Sequence, residues 1–294
     1  MAKIKVALAL GSGGARGLTQ IGVIEELEKK GFEIVSIAGT SIGSLIGGLH
    51  ANNHLGEFKK WISNLDKYGV YDLVDFTLNR QGFVKGERVF NEMRKFIPDV
   101  NIEDLRIPFA AVTADLKSHD EVILTEGNLF EAIRSSVAVP SVLTPVKKGN
   151  RLFVDGGVVN PLPITALPKS EADIVVAVNL CGAKTSESLL AAKGKLTNDK
   201  GWVDKIQNQF NKSFKEYFIN AGKSKSEMNY FEVVNSSFDL MQDKLTEIIL
   251  EKSRPEILVN VPRNIAGTFE FDKAEELIDF GRQEFKKSLK EYRD

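Results

Sequence analysis

The N-terminal part of the chain alternates dense apolar runs with glycine-rich turns, and this restricts the fold more than any other feature. Residues 4–10 form a nearly continuous apolar run that ends in Gly11-Ser12-Gly13-Gly14-Ala15-Arg16-Gly17. Such a run predicts a strand covered on both faces, as a parallel sheet requires. Over residues 18–30, Leu18, Ile21, Ile24 and Leu27 recur on one helical stripe, and Gly31 ends it. Residues 34–38 predict a second strand and residues 42–54 a second helix. A strand–helix–strand–helix start implies right-handed crossovers and an α/β fold, with helices on both faces of a mainly parallel central sheet: a three-layer α/β/α architecture.

The same grammar continues. Residues 109–114, 122–124, 152–154, 174–180 and 257–261 read as strands, with Pro108, Pro140, Pro145, Pro161 and Pro163 between elements. Two helical stripes flank the last of these strands. One runs through Phe238, Met241, Leu245, Ile248 and Ile249, the other through Ala274, Leu277, Ile278, Gly281, Phe285 and Leu289. With 294 residues the expectation is one domain over 1–294: a core over 4–182, a variable, lid-like insertion over 183–235, and C-terminal helices with a late strand over 236–294.

Composition excludes several classes. A hydrophobic share of 43% and a charged share of 27% are those of a globular chain. The net charge of −1 supplies no global attraction to nucleic acid, and none is expected as a partner. Cys181 is the only cysteine, which suits a reducing compartment, and its place in an apolar run predicts burial. The first apolar run is too short for a signal-peptide core, and residues 34–51 are interrupted by Gly, Ser, Thr and His where a spanning helix would be apolar. A cytoplasmic protein is expected.

Chemistry enters at Gly39-Thr40-Ser41-Ile42-Gly43, between the second strand and the second helix. A serine on a tight strand-to-helix turn projects its hydroxyl from the sheet, and small residues two places either side let strand and helix pack around it. The following helix directs its positive N-terminal end at negative charge developing there. The alternative is a glycine turn carrying an ordinary exposed serine. The loop over 11–17 can present converging backbone N–H groups beside it, as acyl transfer requires for an oxyanion. A rival reading makes this loop the phosphate cradle of a nucleotide-binding regulatory module, with Arg16 on the anion. It lacks the Gly-Lys-Ser/Thr ending of a P-loop, however, and Glu33 lies at the wrong end of the second strand to hold a ribose.

Histidine is a poor candidate for the base. His50 and His54 lie on the helix leaving the elbow, where His50 would stand roughly 13 Å along the axis from Ser41. Both are expected at the surface or a helix end. His119 reaches only if its loop folds back. Asp155-Gly156-Gly157, after the apolar residues 152–154, presents a carboxylate at a strand end, although an ordinary Asp-Gly turn reads the same.

Taken in order, these features resemble the patatin-like phospholipase family. Gly13-Gly14-Ala15-Arg16-Gly17 resembles its glycine-rich loop and residues 39–43 its elbow. Residues 109–116 (Phe-Ala-Ala-Val-Thr-Ala-Asp-Leu) resemble a characteristic strand, Ser135-Ser136-Val137-Ala138-Val139-Pro140 a helix end, and Asp155-Gly156-Gly157 its Asp-Gly motif, with Asn160-Pro161 after it. Ser12 stands where that family commonly has glycine. The resemblance implies a patatin-like hydrolase fold and a Ser41–Asp155 dyad. It implies an oxyanion hole from the amides of Gly13, Gly14 and Ala15, and hydrolysis of lipid acyl esters without metal or cofactor. Arg16 is expected to contact substrate.

Between residues 193 and 225 eight lysines and three acids give a local charge of +5. Within it Trp202, Ile206, Phe210, Phe214, Tyr217, Phe218 and Ala221 share one helical face. That face suits peripheral contact with an anionic membrane, or equally packing on the core.

Overall fold

The computed structural model describes residues 3–73, 76–79, 82–84, 86–140, 142–186 and 230–294. Its strands are β1 (Lys5–Leu10), β2 (Glu33–Thr40), β3 (Phe76–Asn79), β4 (Gly82–Val84), β5 (Phe109–Asp115), β6 (Asp120–Leu124), β7 (Val146–Lys148), β8 (Arg151–Asp155), β9 (Ile174–Gly182) and β10 (Ile257–Pro262). Its α-helices are α1 (Thr19–Lys29), α2 (Ile42–Ala51), α3 (Leu55–Ser63), α4 (Lys67–Asp72), α5 (Glu87–Met93), α6 (Leu129–Ser136), α7 (Tyr230–Lys252) and α8 (Ala274–Arg293). The helical stripe over 202–221 and most of the 183–235 insertion lie outside the described residues.

The central sheet runs β10-β9-β1-β2-β5-β8-β7, with β6 also paired to β5. From β10 to β5 every pairing is parallel, as the apolar runs predict. Side-chain size assigns the two faces. Leu8, Leu10, Ile37, Phe109, Val176, Val178 and Val259 point into the large core beneath α1, α2, α6 and α8. Their neighbours Ala9, Ala38, Ala110 and Ala177 face the other way, where residues 162–167 and α7 cover the sheet. The small residues let that covering layer approach closely, completing the expected three layers.

Several elements differ from the expectation. The helix after the elbow stops at Ala51 and the chain reverses through Asn53 at φ 59°, so that α3 begins at Leu55. Helices α3 to α5 and the β3–β4 hairpin were not legible as periodic runs. Strand β8 is antiparallel to β5, pairing Thr113 with Asp155. Since Thr40 pairs with Val112 on the other side of β5, the ends of β2 and β8 flank that strand at one height. Cys181 is half-buried in β9 rather than enclosed. Among the described residues, no helix is long and apolar enough to cross a membrane.

Candidate active site

Ser41 follows β2 directly and precedes α2 at φ 57° and ψ −125°. For a residue with a side chain that backbone costs on the order of 1–3 kcal/mol, so the surroundings must hold it. They do so from both sides. The Ser41 amide donates to Ser136 Oγ at 2.9 Å, and Ser136 Oγ in turn donates to the carbonyl of Val112 at 2.6 Å. The Ser41 carbonyl accepts from the Ser44 hydroxyl at 2.6 Å and the Ser44 amide at 2.9 Å. The flanking glycines are steric requirements: a Cβ on Gly39 would lie 2.3 Å from the Gly43 carbonyl oxygen, and one on Gly43 2.1 Å from that of Leu10.

Asp155 closes β8 with no solvent exposure, whereas Ser41 is 5% exposed. Asp155 Oδ1 accepts from the Gly157 amide at 2.7 Å, and buried Oδ2 has no hydrogen-bond partner. The Ser41 hydroxyl lies close enough to act on the carboxylate as a donor, yet the pair stops short of full hydrogen-bond geometry. Such bonds are commonly loose before substrate arrives. Burial raises the Asp155 pKa to about 7, against the opposing pull of Ser41 and the Gly157 amide. A carboxyl poised near neutrality beside a serine is able to accept its proton.

The strand carrying Asp155 is itself fixed by a carboxylate. Asp115, at the end of β5, accepts from the amides of Leu152 and Lys117 at 3.1 and 3.0 Å, and these bonds hold its pKa below the usual carboxylate value.

The glycine loop passes beside the elbow, with Gly14 and Ser41 lining one apolar cavity of about 210 Å³. Leu45, Phe58, Trp61, Phe90, Val142 and Leu143 form much of its wall. The amides of Gly13 and Gly14 have no acceptor among the described residues, as an oxyanion site requires. Two other residues of this loop are engaged within the protein. The Ala15 amide donates to the Thr268 carbonyl at 2.9 Å and is not a free donor. Arg16 is buried and donates to the carbonyls of Arg263 at 3.0 Å and Ala266 at 3.4 Å. It does not line the cavity, and its guanidinium ties the loop to residues 263–266.

The histidines stand apart from Ser41. His50 is in the last turn of α2, at the helix end as expected, and is only 7% exposed. It lines a separate cavity with Glu25, Glu28, Lys59 and Arg106. Burial, aided by Arg106, lowers its pKa to about 4. His119 lies exposed at a turn between β5 and β6. Among the described residues, no group of three or more His, Cys, Asp or Glu side chains stands at metal-binding distance. Ser136 is a supporting residue that had no assigned role, although it lies in the segment 135–140 that resembles the family's helix end.

A serine on a strained strand-to-helix turn, at the carboxyl edge of a mainly parallel sheet between helical layers, is the layout of an α/β hydrolase fold. The patatin-like phospholipase family profile matches residues 8–168, more than half of the chain. An uncharacterised NTE family protein of Mycobacterium bovis is 32% identical over 324 residues, covering 95% of this chain and 89% of that protein. Lysophospholipase NTE1 of Kluyveromyces lactis is 28% identical over 283 residues, covering 94% of this chain and 18% of the relative. Among solved structures, VipD from Legionella pneumophila aligns over 95% of this chain and 67% of its own, at a TM-score of 0.41 and 12% identity. The chain belongs to the patatin-like phospholipase family.

Proposed function

We propose that the protein hydrolyses acyl esters of phospholipids or lysophospholipids through a Ser41–Asp155 dyad. The observation that carries this is the buried Asp155 carboxyl, its Oδ2 unpartnered, beside the hydroxyl of Ser41, which lines an apolar cavity. Asp155 takes the Ser41 proton as Oγ attacks the ester carbonyl, and the amides of Gly13 and Gly14 receive the oxyanion. Collapse breaks the C–O bond, and the alcohol or lysolipid leaves with the proton held by Asp155. Asp155 then deprotonates a water that attacks the acyl-enzyme, and the fatty acid departs as the proton returns to Ser41.

The cavity wall suits an acyl chain, because it buries apolar surface and offers few polar partners. The kinship to a lysophospholipase supports a lipid ester as substrate. The basic stretch over 193–225 would bring the enzyme to anionic membrane surfaces, and the single cysteine suits a cytoplasmic setting.

The test is hydrolysis of a phospholipid and lysophospholipid panel by purified protein, with fluorophosphonate labelling alongside. Labelling at Ser41 is expected, as is loss of at least about a thousand-fold in kcat for Ser41→Ala and Asp155→Asn with the fold retained. Undiminished turnover by either folded variant would overturn the dyad.

A further inference from the structure

The glycine loop is held by parts of the chain far from it in sequence. Its start is fixed by the Ser12 amide on the Pro161 carbonyl at 2.8 Å, its end by the Ala15 amide on Thr268. Between them stand Gly13 and Gly14, the latter at φ 57°. One side chain reaches in from α7, beyond the part of the chain that the family profile matches. Gln242 is 2% exposed, and its Nε2 donates to Ser12 Oγ at 3.1 Å and to the Gly157 carbonyl at 3.5 Å. Gly157 is also the residue whose amide holds Asp155. A Cβ on Gly157 would meet Gln242 Nε2 at 2.3 Å, Ser12 Oγ at 2.9 Å and Asp155 Oδ1 at 3.0 Å, so the three groups converge on one point.

We infer that Gln242 is a positioning residue that locks the oxyanion loop to the Asp-Gly turn through Ser12 and Gly157. The inference rests on the Ser41–Asp155 reading above. Its physical basis is that the donors of an oxyanion hole act through fixed geometry, whereas a glycine pair has little stiffness of its own. Ser12, where the family commonly has glycine, supplies the hydroxyl that makes a side-chain lock possible. Gln242 does not line the cavity, and its bonds go to Ser12 and Gly157 rather than to Ser41 or Asp155, so its removal should slow the chemical step more than it weakens binding.

The experiment compares wild type, Ser41→Ala, Gln242→Leu, Gln242→Met, Ser12→Ala and the Gln242→Leu/Ser12→Ala double variant on a short-chain p-nitrophenyl ester. For Gln242→Leu we expect kcat to fall by about ten-fold or more with KM changed less than about two-fold. Ser12→Ala should cost a similar factor. Because both remove one linkage, the double variant should lose little beyond either single change. Gln242→Glu adds a charge near Asp155, so the acidic limb of its kcat/KM profile should move to higher pH, which Gln242→Leu does not cause. Multiplying losses in the double variant, kcat within two-fold of wild type, or misfolding of both Gln242→Leu and Gln242→Met would each overturn the role. If Ser41→Ala matches wild type, the dyad itself fails; if Ser41→Ala is inactive while Gln242→Leu is unaffected, only the positioning role fails.

Discussion

Asp155 carries two opposing demands. As the base of the proposed dyad it must ionise, yet burial at the end of β8 makes ionisation costly and lifts its pKa to about 7. The proposed mechanism requires the carboxylate, so kcat/KM should fall about ten-fold per pH unit below neutrality and level off above it, in a profile measured on a neutral ester. Stability should move in the opposite sense. The folded protein retains this proton from about 3.8, the ordinary value, up to about 7, whereas the unfolded chain releases it. The stabilisation is thus complete below the unfolded pKa and is lost as pH rises through 7, amounting to on the order of 4 kcal/mol. Asp155→Asn mimics the neutral form. In a melting series, its midpoint should exceed that of wild type by several degrees at pH 8, and the two should converge near pH 4.

At the scale of elements, the elbow is a packing problem solved by absent side chains. Helix α2 lies against the end of β1 so closely that Gly43 has no room for a methyl group. Gly43→Ala should therefore cost about 3 kcal/mol in urea unfolding and suppress Ser41 labelling, because α2 must shift to make room. Gly56, in α3, is the contrasting case, with no neighbour within 4 Å of an added Cβ. Gly56→Ala should stabilise by about 0.5–1 kcal/mol and leave labelling unchanged, since it only restricts the unfolded chain.

Across the whole molecule, the C-terminal segment completes both the core and the site. Helix α8 meets α1 through reciprocal glycines: a Cβ on Gly22 would lie 1.9 Å from the Ile278 carbonyl oxygen, and one on Gly281 1.9 Å from that of Thr19. Glu25 of α1 pairs with Arg282 of α8 and Lys59 of α3 beside this contact. Residues 263–268 then reach the glycine loop through Arg16 and Ala15. Gly281→Val should part the two helices, lower unfolding stability by about 3 kcal/mol, and expose α8 to limited proteolysis under native conditions.

Local sequence determined the parts of this protein that depend on short spacing. The apolar runs specified β1, β2, β5 and β9 because strands covered on both faces need continuous apolar residues, and Ser41 was legible because the elbow's demands all fall within five positions. The proposed partnership with Asp155 leaned on the family resemblance, because the two residues approach where β8 runs antiparallel to β5. The contacts of Ala15 and Arg16 with residues 263–268 and the burial of His50 at the end of α2 were not legible either, because they are not local properties. Ser136 and Gln242 reach the site across 95 and 230 positions, to Ser41 and Ser12 respectively. Such contacts are set by how layers close on the sheet, which no spacing along the chain encodes, and only the tertiary structure decided them.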